Sequence, residues 1–350
     1  MVKFAATLAT LAVLFIAGCN EEASKTTTPA EAQHAVSVAD TASGSVVETG
    51  AIANEKIRLR LDSGTTFRYK ALQMSSITQD TAVVTTNSTH YYTKSVKGKR
   101  SDGAFEMTMK FDSLDIAVII RDKKTGLVKQ SGGYSSKRDT AIDPTDIQKI
   151  QFWAVLGEPV TVILSEMGQI NEISGVSSIV NKIANRLPQA FPNQQVKDQA
   201  TQYVQGMMYG SFIGQEFVPY PPNALDSTLS WTNDQTSPVG NMFRISTTTV
   251  YRIVSVRNVK GHRIATIEGT LTGKLFTQPP PPEAGIQLVL KKADVTGSSH
   301  AVLDLNTGAT IAKRNHLKLD VNAHVKNLKT GETKTASQMN ESRYEVELIP

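Results

Sequence analysis

From residue 56 onward, large apolar side chains recur at every second position. Ile57, Leu59 and Leu61 alternate with Arg58, Arg60 and Asp62, and Phe67 and Tyr69 alternate with Arg68 and Lys70. Phe105, Met107, Met109 and Phe111 stand against Glu106, Thr108, Lys110 and Asp112, which puts every large apolar group on one sheet face. Ile267, Leu271 and Leu275 repeat the pattern with Gly269 and Gly273 on the apolar side, as do Leu317, Leu319, Val321, Ala323 and Val325. Strands that are wet on one face imply antiparallel sheets.

The middle of the chain changes period. Asp143-Pro144 reads as a helix start, with Ile147, Ile150, Ala154 and Val155 following at helical spacing. Val160 to Leu164 returns to strand and turns into Ile170 to Ile173. Val176, Ile179, Val180, Ile183, Ala184 and Leu187 then trace one helical stripe, and Val196, Ala200, Tyr203, Val204, Met207, Met208 and Phe212 trace a second. Two amphipathic helices must cover an apolar surface. Asn87 to Leu114 parallels Thr248 to Leu275, each a polar-aromatic lead into a long amphipathic strand. The expected fold is α+β and predominantly antiparallel β: two curved antiparallel sheet units with a central amphipathic helical insert. The expected divisions are 51–142 and 220–350 for the two β units and 143–219 for the helix and hairpin insert.

The amino terminus departs from all of this. Met1, Val2 and Lys3 precede an apolar run from Phe4 to Phe15, which is too short to span a bilayer and suits a signal peptide over 1–18. Ile16-Ala17-Gly18-Cys19 resembles the lipobox of bacterial lipoproteins, and Cys19 is the chain's sole cysteine. The resemblance implies diacylglycerol on the Cys19 sulfur and an acyl chain, such as palmitate, on its amino group. Several acyl chains at about 0.8 kcal/mol per methylene anchor stably. Asn20 is not the aspartate that retains many lipoproteins at an inner membrane, so the resemblance implies the outer membrane, on its periplasmic face or at the cell surface. Residues 19–50 are poor in large apolar side chains and read as a flexible lipidated tether.

Composition narrows the function. The 350 residues are 40% hydrophobic and 20% charged, which excludes a wholly disordered chain, and one cysteine excludes a disulfide framework. The net charge of +5 is spread along the chain without a recognition motif, so nucleic acid is not an expected partner. No nucleophile elbow, phosphate loop or metal-binding helix motif occurs, and no catalytic or metal residue is assigned. His316 and His324 share a polar strand face but stand roughly 27 Å apart.

Leu59, Leu61, Gly64 and Tyr69 resemble the opening strand of a family of functionally uncharacterised envelope lipoproteins. Further matches are Ser165-Glu166-Met167-Gly168, Tyr220-Pro221-Pro222 ahead of Asp226 and Trp231, and Asp304-Leu305-Asn306-Thr307-Gly308. Residues 276–297, with Pro279 to Pro282, look like an extra loop. The architecture is similar to that of half-barrel lipoprotein carriers, whose antiparallel sheet is closed by helices over an apolar cavity. The expectation is therefore a non-enzymatic binding or carrier module without a cofactor, beyond its acyl chains. Membrane lipid is the partner at the anchor, and an apolar or amphiphilic ligand is lined by Met107, Met109, Phe111, Met207, Met208 and Phe212. The alternative is a structural or interaction protein of an outer-membrane complex, with an envelope protein as partner.

Overall fold

The structure, a computed structural model, describes residues 45–47, 52–79, 81–208, 212–239, 243–277 and 285–350. The signal peptide, Cys19, residues 19–44 of the expected tether and Pro279 to Pro282 lie outside the described residues, as do the side chains of Met207 and Met208.

The alternating segments form long antiparallel strands. In chain order they are β1 (Ser45–Val47), β2 (Thr66–Thr78), β3 (Ala82–Lys99), β4 (Phe105–Asp122), β5 (Val128–Ser135), β6 (Val160–Leu164), β7 (Ile170–Ser174), β8 (Ser230–Val239), β9 (Phe243–Val259), β10 (His262–Thr277), β11 (Ile286–Asp304), β12 (Thr310–Asn327) and β13 (Thr333–Ile349). Consecutive long strands are joined by tight turns. The β9–β10 turn is the two residues Lys260 and Gly261, both at positive φ, which matches the twist of the flanking strands.

In place of two sheet units there is one sheet. Its order is β1-β9-β10-β11-β12-β13-β2-β3-β4-β6-β7, with β5 beside β4 and β8 beside β9. The join is β13 against β2, in register from Met339↔Thr78 to Ile349↔Arg68. Left apart, the two units would each expose a long strand edge, and pairing them satisfies both rows of backbone groups. The two similar hairpins, β3–β4 and β9–β10, sit towards opposite ends of this sheet. Strand β1 pairs with β9 from inside the span expected to be tether. Strand β11 occupies much of the span expected to be an extra loop. A bulge between Leu290 and Lys292 shifts its side-chain parity and hides the alternation.

The insert carries helices α1 (Ile147–Ala154), α2 (Ser177–Arg186) and α3 (Gln194–Met208), then a single turn at Gly214–Glu216. Helix α1 starts three residues beyond the proline. Asp146 accepts the Lys149 N–H at 3.0 Å as the N-cap, whereas Asp143 closes a turn onto Thr145. Ile150, Phe152, Ile179 and Ile183 from the helices pack in one core with Phe105, Met107, Met109 and Phe111 of β4.

Candidate functional site

The face of the sheet that bears the helices is the inner face, and its register can be followed strand by strand. One row across it reads Trp231, Tyr251, Gly269, Ser299, Asn315, Tyr344, Gln73, Ser88 and Ile116. The next reads Asn233, Thr249, Leu271, Gly297, Leu317, Ser342, Ser75, Thr86 and Val118. A third reads Gln235, Thr247, Gly273, Val295, Leu319, Asn340, Ile77, Val84 and Ile120. No Asp, Glu, Lys or Arg stands in these rows. The outer face of the same strands carries Glu268, Lys274, Asp294, Lys318, Asp320, Glu341 and Arg343.

Within the charge-free rows the chemistry is divided. Strands β10 to β12 contribute Leu271, Leu317, Leu319 and then Val321, all half-buried, with glycines 269, 273 and 297 among them. Strands β13, β2 and β3 contribute Ser342, Asn340, Ser75, Thr86 and Ser88, which are neutral and polar. Ser299 Oγ and Asn340 Oδ1 are buried and have no hydrogen-bond partner among the described residues.

Above these rows the inner face becomes ionic. Lys94 of β3 pairs with Glu216 of the single turn, and Glu216 also accepts the Tyr92 hydroxyl at 2.7 Å. All three are buried. The Lys94 ammonium lies 4.2 Å from the Tyr69 ring centroid and 4.7 Å from that of Phe217. Burial lowers the Lys94 pKa, and Glu216 opposes that shift. Lys313 of β12 is 3% exposed, and its Nζ donates to the Phe217 carbonyl at 2.6 Å. Burial holds its pKa down to about 7. His90 is 4% exposed, neither ring nitrogen has a partner among the described residues, and burial lowers its pKa to about 3. Its ring packs 4.8 Å from that of Phe212, which also meets Tyr92, Phe111 and Tyr344.

The residues expected to line a ligand are thus placed as follows. Met107, Met109 and Phe111 lie under the helices, and Phe212 caps Tyr92, Phe111 and His90; all four are buried in the core. Partly buried apolar residues of the charge-free rows are on β10 to β12. The sequence signals that mark the ionic cluster are parity violations. Lys94 and His90 share the face of Tyr92 and Val96, and Lys313 extends the Leu317-to-Val325 face upward. Outward-facing His316 bonds Glu341 at 2.8 Å.

The short turn motifs dispersed along the sequence converge into one knot. Leu59 N–H donates to Glu166 O at 2.8 Å, Arg60 N–H to Thr307 O at 2.7 Å and Tyr220 N–H to Met167 O at 3.2 Å. The Tyr220 hydroxyl donates to Gly308 O, the Trp231 indole to Pro219 O at 2.7 Å, and the Arg58 guanidinium to Pro221 and Pro222 carbonyls. Gly308, at φ +75°, has room for no side chain: a Cβ there would fall 2.7 Å from Arg58 O. Beside the knot lies a cleft of about 390 Å³, lined by Arg58, Leu59, Arg60, Leu61, Asp62, Lys99, Phe105 and Glu166. Lys99 and Glu166 form an ion pair across it. Among the described residues no three His, Cys, Asp or Glu side chains gather as a metal site, and no described helix is long and apolar enough to cross a membrane.

Much of this knot falls inside residues 102–310, the span matched by the sequence profile of one family. The chain belongs to DUF6263, a family of unknown function. No curated protein matches the sequence. Among solved structures, lipovitellin, described for its lipid–protein interactions, is 14% identical over 83% of this chain with a TM-score of 0.42. The match spans 25% of the lipovitellin chain. The outer membrane protein OprG of Pseudomonas aeruginosa is 8% identical (83% of this chain, 96% of that one, TM-score 0.22). A DUF1329 family protein of Desulfovibrio piger is 10% identical (82% and 87%, TM-score 0.15). All three TM-scores lie below 0.5, so these likenesses carry no weight for function.

Proposed function

We propose that this DUF6263 protein is a lipid-anchored, non-enzymatic module of the bacterial outer membrane that binds an apolar or amphiphilic ligand on the inner face of its sheet. The observation that carries the reading is the set of charge-free rows. A sheet face that only met water would have no reason to exclude charge while its opposite face is rich in it. Leaving Leu271, Leu317, Leu319 and Val321 half in water forgoes part of the roughly 1.5–3 kcal/mol that full burial of each contributes. An acyl chain lying along β10 to β12 recovers it.

Acyl chains at Cys19 would hold the module at the membrane. Radiolabelled palmitate should enter the wild-type chain and not the Cys19→Ser chain; equal labelling of both would contradict the anchor. For the binding reading, the Cys19→Ser protein, purified without detergent and extracted into organic solvent, should yield lipid by mass spectrometry in near-stoichiometric amount. Leu317→Lys should reduce that yield strongly, and a wild-type face that releases no lipid would refute the reading.

A second reading, an interaction protein of an envelope complex, is favoured by the open sheet edges at β7 and β8, which offer unpaired backbone groups for strand addition. It predicts a stoichiometric protein partner on cross-linking in intact cells.

A further inference from the structure

We propose that the ligand of the inner face is an anion, a long-chain carboxylate whose head group lies beside Lys313 and whose tail runs down β10 to β12. The inference rests on the lipid-binding reading above and adds the charge of the ligand.

Four ionisable side chains close the upper end of the charge-free rows: Lys94, Lys313, Glu216 and His90, the last kept neutral by burial. Glu216 is already committed to Lys94 and the Tyr92 hydroxyl. The titratable groups around the cluster from the packed strands are Tyr69 on β2, Tyr92 on β3 and Tyr344 on β13, none of them an anion at neutral pH. Among the described residues no carboxylate forms an ion pair with Lys313; Glu216, held by Lys94, acts on it only through space and opposes the lowering of its pKa by burial. The Phe217 carbonyl takes one of its three donors and supplies no formal charge. A buried ammonium without a counter-charge is costly, and the usual relief is a partner or loss of the proton. A bound carboxylate is the partner that this position lacks.

Geometry places that carboxylate. Lys313 pairs with Ala301 across β11 and β12, and Asn315 pairs with Ser299, so Lys313 and Ser299 are diagonal neighbours on the inner face. Ser299 Oγ is buried without a partner among the described residues, which supplies a second donor beside the ammonium. Below it on the same face come Asn315, whose Nδ2 donates to the Gln215 carbonyl at 3.0 Å, and then Leu317, Leu319 and Val321; the eight steps from Lys313 to Val321 cover about 27 Å at about 3.4 Å each. One surplus cation matches a monoanion. A phosphate dianion would leave new uncompensated charge in the same place.

The test is displacement of the neutral probe N-phenyl-1-naphthylamine from the full chain carrying Cys19→Ser. Oleate and methyl oleate, delivered from cyclodextrin, compete in separate titrations. Oleate should displace the probe at least about tenfold more effectively, the size expected of one charge-assisted contact. The ratio should fall towards one in Lys313→Met and, in the protein with Lys313 intact, as pH rises from 6 to 9. Equal potency of the carboxylate and its neutral ester would overturn the anion inference while leaving the binding face standing. A ratio that survives Lys313→Met and the pH change would overturn the assignment to Lys313. Failure of both molecules to displace the probe would remove the binding reading itself, and this proposal with it.

Discussion

Replacing Lys313 by methionine should stabilise the protein, and by an amount that depends on pH. The buried amine has its pKa lowered from 10.5 to about 7, burial being the largest cause. The folded state therefore binds fewer protons than the unfolded chain between those values, and stability rises with pH through that window. The penalty is full below about pH 7 and is gone above about 10.5. Each pH unit within it is worth about 1.36 kcal/mol. Methionine has nearly the same length and no charge to desolvate, and the substitution removes one hydrogen bond to Phe217 O worth about 1 kcal/mol. At pH 7 the variant should be more stable by about 3–4 kcal/mol, and the advantage should shrink by about 2–3 kcal/mol at pH 9. Lys94, Tyr69, Tyr92 and Tyr344 also have shifted pKa values, but they are present in both proteins. The difference between the two chains reports position 313 together with its through-space coupling to Glu216. Urea unfolding of lipid-free protein at pH 7, 8 and 9 measures it. A difference that stays constant with pH, or a variant less stable throughout, would refute the account of Lys313 as a buried cation whose desolvation outweighs the through-space help of Glu216.

Glu216→Gln should cost about 3–5 kcal/mol, because it leaves the Lys94 ammonium buried without its counter-charge. Combining it with Lys94→Met should restore most of the loss in the same urea assay, and purely additive losses would argue against a coupled pair. Gly308→Ala should cost more than about 2 kcal/mol, because the residue sits at φ +75° and its Cβ would strike Arg58 O and Leu59 Cα. A thermal midpoint unchanged by that substitution would show that the knot is looser than its hydrogen bonds suggest.

Much of the local structure was legible from periodicity. The stripe from Val176 to Leu187 is helix α2, Val160 to Leu164 is β6, and the alternation from Phe105 to Phe111 is the first part of β4. Partner choice was not legible, since alternation says which face a strand buries and not which strand it joins. The β13–β2 pairing, which fuses the two expected units, spans nearly the whole chain. Strand β11 was hidden by its bulge, and α1 starts at Asp146 because the earlier aspartate is used by a turn. Large apolar side chains favour the packed core, and Met107, Met109 and Phe111 are buried in it. The face proposed to bind a ligand is marked by a subtler signal, the absence of charge from one parity over several strands. The ionic end of that surface was equally visible as lysines and a histidine on an apolar parity.

The central claim is that an acyl chain lies on β10 to β12, and spin-labelled stearate places it directly. Methyl spectra of leucine-labelled Cys19→Ser protein should show Leu271, Leu317 and Leu319 broadened by a label near the tail end of the stearate, with the outward-facing Leu72 and the core residue Leu164 spared. Broadening that avoids these three leucines, or that reaches Leu72 and Leu164 equally, would contradict a lipid seated on the charge-free face.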